Sequence, residues 1–122
     1  MSIVVYKIIH LLGLVLLFQS LGAILFAYMA GSGISESPHK KMLLSMHGLG
    51  LLLLFIGGFG MATRLGIMGS LPGWVWIKIG IWLLLGASLF FVKKKPETAR
   101  LWWYLIIALG LAAAYLGLFQ PF

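Results

Sequence analysis

Acidic residues are almost absent from this chain of 122 residues, and cysteine is absent altogether. Without cysteine, the protein has no disulfide, thiolate metal ligand, iron–sulfur cluster or thiol nucleophile. The two acidic side chains, Glu36 and Glu97, both lie in polar connecting segments, so no carboxylate lies within an apolar stretch. This distribution argues against paired-carboxylate hydrolysis, carboxylate-ligated metal pairs and proton antiport through a membrane-embedded acid. We therefore assign no catalytic residue and no metal ligand, and the sequence favours a protein that is not an enzyme.

Charged residues of either sign are also scarce, at 9% of the chain against 62% hydrophobic residues. A soluble domain carries about 25% charged residues, so this chain cannot present a wetted surface on all sides. Four apolar stretches are long enough to cross a bilayer as helices, and they lie at about 8–30, 42–62, 74–92 and 101–119. With short loops between them, they predict a single all-α domain, an up-down four-helix transmembrane bundle.

Lysine and arginine are distributed unevenly between the two predicted ends of the bundle. One end collects the basic residues of the first and third connections, namely Lys40, Lys41, Lys93, Lys94, Lys95 and Arg100. The other end has Lys7 and Arg64, with Lys78 one turn inside. The positive-inside rule then places the six cations in the cytoplasm and both termini outside, in the periplasm if the host is a Gram-negative bacterium. We expect the membrane to be the bacterial inner membrane. The net charge of +7 is thereby explained by contacts with lipid headgroups and not by nucleic acid.

Small residues recur along each predicted helix at spacings that place them on one face. The stretch from Met42 to Ala62 alone holds five glycines. Glycine weakens a helix in water by about 1 kcal/mol relative to alanine, whereas in lipid small residues allow helix backbones to approach closely. We therefore expect helix–helix packing at Gly13, Gly50, Gly57, Gly60, Gly80, Gly110, Ala114 and Gly117.

Two histidines within the apolar stretches, His10 and His47, are candidates for function because hydrocarbon penalises polar groups. Imidazole is a common ligand of haem iron and a proton relay, so each could bind a cofactor. The two helices run in opposite directions, and a rise of 1.5 Å per residue separates the histidines by roughly 15–20 Å along the membrane normal. They therefore cannot share one iron within one chain. The alternative is a neutral histidine bonded to a backbone carbonyl or a serine.

Lys78 has two competing interpretations. If it converges with His10 and Arg64, the three form an outward-facing cationic pocket suited to a carboxylate, a phosphate or a porphyrin propionate. However, Lys78 and Trp82 lie about opposite Gly80 on a helical wheel. Packing at Gly80 would turn Lys78 toward lipid, where its side chain would snorkel to the headgroups.

Gln19 and Ser20 lie near the middle of the first helix. An amide in hydrocarbon requires a hydrogen-bond partner, and Gln19 points about 180° from His10, so the two cannot face the same neighbour. This favours contact with a second copy of the chain or with another membrane protein.

A resemblance to known proteins begins at His10 and continues at Trp74–Gly86 (WVWIKIGIWLLLG). These features resemble small bacterial inner-membrane proteins of the HemJ, CopD and SirB type, which have an early histidine in the first helix and a tryptophan and a lysine opening a later leucine-rich helix. HemJ-type proteins bind haem and are implicated in protoporphyrinogen oxidation, and CopD-type proteins are linked to copper uptake. The resemblance implies His10 as a haem ligand and Lys78 as a functional cation. The chain departs from the group in lacking a dense Met/His copper pattern.

Three functions from different classes remain open. The first is a non-catalytic accessory or assembly component that acts through helix–helix contacts. The second is a haem- or porphyrin-associated redox protein that uses His10, with Lys78. The third is a small dimeric transporter or channel that uses Gln19 and Ser20.

The topology can be tested with C-terminal fusions in a bacterial host. Because the Lys/Arg bias places the C-terminus outside, we expect an alkaline phosphatase fusion after residue 122 to be active and a green fluorescent protein fusion there to be dark. Fusions after Lys95 should show the opposite pattern. A fluorescent C-terminal fusion would invert the predicted topology.

Overall fold

The computed structural model describes residues 2–121, which form four long helices joined by short connections. The helices are α1 (Ile3–Met29), α2 (Lys40–Arg64), α3 (Gly73–Lys94) and α4 (Ala99–Phe119), and a 3-10 turn, Pro96–Thr98, precedes α4. Within residues 2–121 there is no strand. The prediction of an all-α four-helix architecture is confirmed.

All four helices are long and apolar enough to cross a membrane. The shortest has 21 residues and the longest 27, which corresponds to about 31–40 Å at 1.5 Å per residue, against a hydrocarbon core of about 30 Å. Large apolar side chains such as Leu101 and Leu111 are more than 60% exposed on the outside of the bundle. These features fit an integral, multi-pass membrane protein whose outer surface contacts lipid.

The helices extend beyond the apolar stretches of the sequence. Helix α1 begins at Ile3 rather than near residue 8, and Ser2 caps it by accepting a hydrogen bond from Val5 N at 3.4 Å. Helix α2 includes Lys40 at its start and Arg64 at its end. Hydropathy marks only the part of a helix that lies in hydrocarbon, whereas backbone hydrogen bonding continues through charged residues whose side chains reach the headgroups.

The bundle has two distinct ends. We call the end with the 30–39 and 95–98 connections the basic end, because it holds the six cations of those segments and their flanks. The opposite end, with the start of α1, the 65–72 connection and Gln120, is the terminal end. Both acidic side chains, Glu36 and Glu97, lie at the basic end.

Helices α1 and α2 pack with their backbones in contact. A Cβ atom added to Gly13 would lie 2.7 Å from Leu54 N and 2.8 Å from Gly50 O, and one added to Gly50 would lie 2.7 Å from Leu17 N. These neighbours are main-chain atoms, which cannot rotate away as a side chain can. Glycine is therefore required at both positions for α1 and α2 to stay this close.

The same contact continues toward the terminal end. A Cβ on Gly57 would lie 2.6 Å from His10 N, and one on Gly60 would collide with the ring of Tyr6. The close approach thus extends from Leu17 to Tyr6, about three turns of α1. Because the backbone of α1 is fixed against α2 here, the position of His10 is fixed as well.

Helices α3 and α4 complete the core with larger side chains. The buried cluster combines residues from all four helices, including Leu17, Leu21, Leu25, Leu54, Ile81, Leu85, Val92, Ile106 and Leu116. Near the basic end, the rings of Phe91 and Trp102 stack almost parallel with centroids 5.8 Å apart. The α3–α4 pair is therefore held by side-chain packing and not by backbone contact.

Two of the predicted packing positions do not lie at a helix–helix contact of this chain. Gly80 is exposed, and apart from its chain neighbours and the backbone of its own helix no described atom lies within 4 Å of its Cβ position; Ala114 is also exposed. Gly110 and Gly117 face side chains instead of backbone, namely Phe18 at 3.1 Å and the Lys78 ammonium at 3.0 Å from the respective Cβ positions. The packing prediction for Gly80 and Ala114 is wrong within one chain, because α3 and α4 turn other faces inward.

The backbone contact makes a matched prediction at two nearby glycines. Gly50→Ala should lower the free energy of unfolding by roughly 1–3 kcal/mol, since the added methyl group overpacks a contact made by main-chain atoms. Gly48→Ala is the control, because no atom of another helix lies within 4 Å of its Cβ position, and it should be neutral or slightly stabilising. Unfolding of the two purified variants in detergent by added SDS measures both. Equal stability of the two variants would contradict the close approach.

Candidate functional site

His10 lies against α2 at Gly57 and Gly58 and is half-buried. Its Nδ1 atom is 3.3 Å from the carbonyl oxygen of Leu54. A carbonyl can only accept a hydrogen bond, so Nδ1 carries the proton and Nε2 keeps a free lone pair. This is the tautomer in which a histidine can ligate a metal through Nε2 while its other nitrogen is held by the backbone.

His47 is buried, with 5% of its surface exposed, and it connects α2 to α3. Its Nε2 atom donates to the carbonyl oxygen of Leu85 at 3.4 Å. The hydroxyl of Ser88 donates to the same oxygen at 2.6 Å. His47 thus has the arrangement of a structural histidine satisfied by a backbone carbonyl.

The two histidines lie at different depths in the bundle. His10 packs on Gly57, and His47 lies ten residues earlier on α2, which is about 15 Å along the helix axis. One iron cannot bridge that separation within a chain. Residues 2–121 contain no group of three or more His, Asp or Glu side chains that could hold a metal ion.

The Lys78 side chain is not turned away from the other helices, because it lies against α4 near the terminal end of the bundle. Its ammonium lies beside Gly117 of α4 and within electrostatic range of His10. One turn along α3, the indole N–H of Trp82 donates to Leu51 O at 3.0 Å. Lys78 and Trp82 lie on the side of α3 that carries the buried Ile81, opposite the exposed Gly80.

The cationic group of His10, Lys78 and Arg64 stays a prediction. The charge of Lys78 acts on His10, and Arg64 is exposed at the last residue of α2. His10 is on α1 and Lys78 is on α3, and both positions lie toward the terminal end of the bundle.

Gln19 and Ser20 are adjacent in sequence but lie in different environments. The hydroxyl of Ser20 is fully buried and donates to Leu16 O at 2.8 Å and Leu17 O at 3.0 Å, within its own helix. Gln19 is exposed on the outside of α1 and makes no hydrogen bond to any residue of the described chain. The pair therefore does not line a common polar path, and the transporter hypothesis has no support from it.

The surface of the bundle has two concave regions, and both lie away from the candidate polar residues. A groove of about 380 Å³ runs between α1 and α4 and is entirely apolar, lined by Leu14, Val15, Phe18, Ile106, Ile107, Gly110 and Leu111. A polar depression of about 520 Å³ lies at the basic end among residues 27–37. Neither is lined by His10, His47 or Lys78.

Two contacts of the site were not anticipated from sequence, namely Trp82 with Leu51 and Lys78 with Gly117. The spacing of residues in the sequence gave one indication of these contacts. Lys78 and Trp82 are four residues apart on one face of α3, and each carries a donor that needs an acceptor, which favours an inward orientation of that face.

The fold and these contacts define the class: a compact, multi-pass α-helical membrane protein with histidine, tryptophan and lysine side chains connecting its helices. No family model, curated protein or solved structure matches the chain.

The bond between Trp82 and Leu51 gives a testable contribution to stability. Trp82→Phe removes the donor and leaves a ring of similar shape, so it should cost about 0.5–1.5 kcal/mol of unfolding free energy. Trp76→Phe is the control, because Trp76 is 60% exposed on the same helix and should change stability little. SDS-induced unfolding in detergent compares the two. A larger loss for Trp76→Phe would contradict the inward orientation of Trp82.

Proposed function

We propose that this protein is a non-catalytic assembly component of the membrane that binds a second copy of itself through the face of α1 that carries Gln19. The observation that carries the proposal is the environment of Gln19. Its amide lies in the middle of a membrane-spanning helix, is exposed, and has no partner in the described chain.

The surroundings of Gln19 are apolar and face outward. Leu12 and Val15 lie on the same side of α1 and are more than 50% exposed, and Phe26, two turns further on, is 63% exposed. An unpaired amide in such surroundings costs on the order of 2 kcal/mol or more in the absence of water. Association that pairs this amide is therefore favourable in hydrocarbon.

A second copy is the partner that best suits this amide. A carboxamide is both donor and acceptor, so two of them can satisfy each other. Two chains related by a twofold axis along the membrane normal keep their Gln19 residues at the same depth, as isologous interfaces require. The adjacent apolar groove, lined in part by Val15 and Phe18, provides a concave surface beside that pair.

We further propose the bacterial inner membrane as the location, with the basic end in the cytoplasm and both termini outside. The support is the clustering of Lys40, Lys41, Lys93, Lys94, Lys95 and Arg100 at the basic end. Short loops with this bias remain on the cytoplasmic side during insertion, where they also contact anionic lipid.

The absence of cysteine permits a direct test of the dimer. With Leu12→Cys as the only thiol, oxidation in liposomes should give a disulfide-linked dimer, because the α1 faces of two copies meet. Adding Gln19→Leu should weaken association roughly five- to thirtyfold, corresponding to about 1–2 kcal/mol for the lost amide pair. The yield of crosslinked dimer at rising lipid dilution measures this change.

Two controls accompany this experiment. Leu83→Cys, which is 58% exposed on α3, should not crosslink, and Ser45→Ala, which removes an exposed hydroxyl from α2, should leave the Leu12→Cys yield unchanged. Equal crosslinking with and without Gln19 would show that the amide does not drive association.

A haem- or porphyrin-binding role at His10 is the second candidate, and the tautomer of His10 favours it. The bond from Nδ1 to Leu54 O leaves Nε2 free as an axial ligand, and the Lys78 ammonium suits a propionate. A bound haem would supply one-electron redox chemistry. The purified protein should then show a Soret band that is lost in His10→Ala and retained in His47→Ala. A colourless protein that does not take up added haem would exclude this role.

A further inference from the structure

Lys78 lies on α3 near the terminal end and is not part of the proposed dimer interface on α1. Its ammonium offers three N–H donors and no acceptor. Within residues 2–121, no group accepts a hydrogen bond from it and no carboxylate pairs with it. The only acidic side chains, Glu36 and Glu97, lie at the basic end, the full length of the bundle away.

The position of the ammonium is set by α4. It lies beside Gly117, 3.0 Å from where a Cβ atom would be. The partial negative charge of a helix C-terminus attracts a cation, but the nearby carbonyls of Leu116 and Gly117 accept from the backbone and side-chain nitrogens of Gln120 instead. The end of α4 therefore helps to hold the ammonium without satisfying its hydrogen bonds.

The ammonium is also accessible from outside the bundle. Every buried side-chain nitrogen or oxygen in the described chain has a hydrogen-bond partner. Since the Lys78 ammonium has none, it is not fully buried. Gly117 lies three residues before Gln120, which caps α4, so the ammonium is only ~4.5 Å below the end of that helix. This is the depth of the lipid headgroups.

We propose that Lys78 binds a phosphate group at the terminal end, and that the headgroup of an anionic phospholipid supplies it. Phosphate oxygens form strong charge-assisted hydrogen bonds with an ammonium. Trp74 lies one turn from Lys78 on α3, nearer the terminal end, and tryptophan is a side chain that favours the boundary between headgroups and acyl chains. The depth of the ammonium and the position of Trp74 favour a lipid over free phosphate.

The test measures lipid affinity through thermal stability. The purified full-length protein in detergent is melted with increasing phosphatidylglycerol, phosphatidylcholine or inorganic phosphate. We expect phosphatidylglycerol to raise the melting temperature saturably and phosphatidylcholine to have little effect. Lys78→Met should weaken the apparent affinity for phosphatidylglycerol about tenfold, the loss of one charged hydrogen bond, and Lys78→Arg should retain most of it.

Matched variants separate this site from general attraction to positive charge. Lys7→Met removes an exposed lysine from the same end and should keep the wild-type affinity. Gly117→Val keeps the lysine but displaces its ammonium, so it should reproduce the loss, and it replaces Lys78→Met as the test if that variant does not fold.

Three outcomes would overturn the proposal in whole or in part. Equal protection by phosphatidylcholine, or an unchanged phosphatidylglycerol affinity in both Lys78→Met and Gly117→Val, would mean that Lys78 has only a structural role at the end of α4. Equal protection by inorganic phosphate would uphold a phosphate site at Lys78 and overturn the lipid as its source.

Discussion

The close approach of α1 and α2 is the constraint on which the rest of the structure depends. Gly13 and Gly50 place main-chain atoms of the two helices in van der Waals contact, and Gly57 continues that contact to His10. Lipid tails are as apolar as leucine, so burial of apolar surface does not drive helices together in a bilayer. Dispersion between closely packed backbones is then a main attraction between the two helices, and only glycine allows it at this distance.

A second theme is the use of main-chain carbonyls as acceptors for side chains of neighbouring helices. His10 bonds to Leu54 O, Trp82 to Leu51 O and His47 to Leu85 O. Each acceptor is inside a helix and already lies in a backbone ladder, so it uses its second lone pair. In a chain without membrane-embedded carboxylates, these carbonyls are the acceptors that polar side chains can reach.

The fold could be predicted from the sequence because it depends on the length and hydropathy of four apolar stretches, and both can be calculated from the residues. The contact at Gly50 could also be predicted, because Gly50 belongs to a row of small residues on one face of its helix. The orientation of α3 could not be predicted. Spacing gives the angle between Lys78 and Gly80 on one helix, but which of them turns inward depends on Leu51 O and Gly117, which belong to other helices. The positions of Leu51 O and Gly117 relative to α3 depend on how the helices pack, and the sequence of α3 alone does not give that packing.

The backbone contact between α1 and α2, which α3 and α4 lack, has a consequence for biogenesis. Helices α1 and α2 are synthesised before α3 and α4, and their contact needs nothing from those later helices, because its closest atoms are their own backbones. This hairpin can therefore assemble in the bilayer while α3 and α4 are still being synthesised. The second hairpin can then dock on that surface through the bonds that His47 and Trp82 make between α2 and α3.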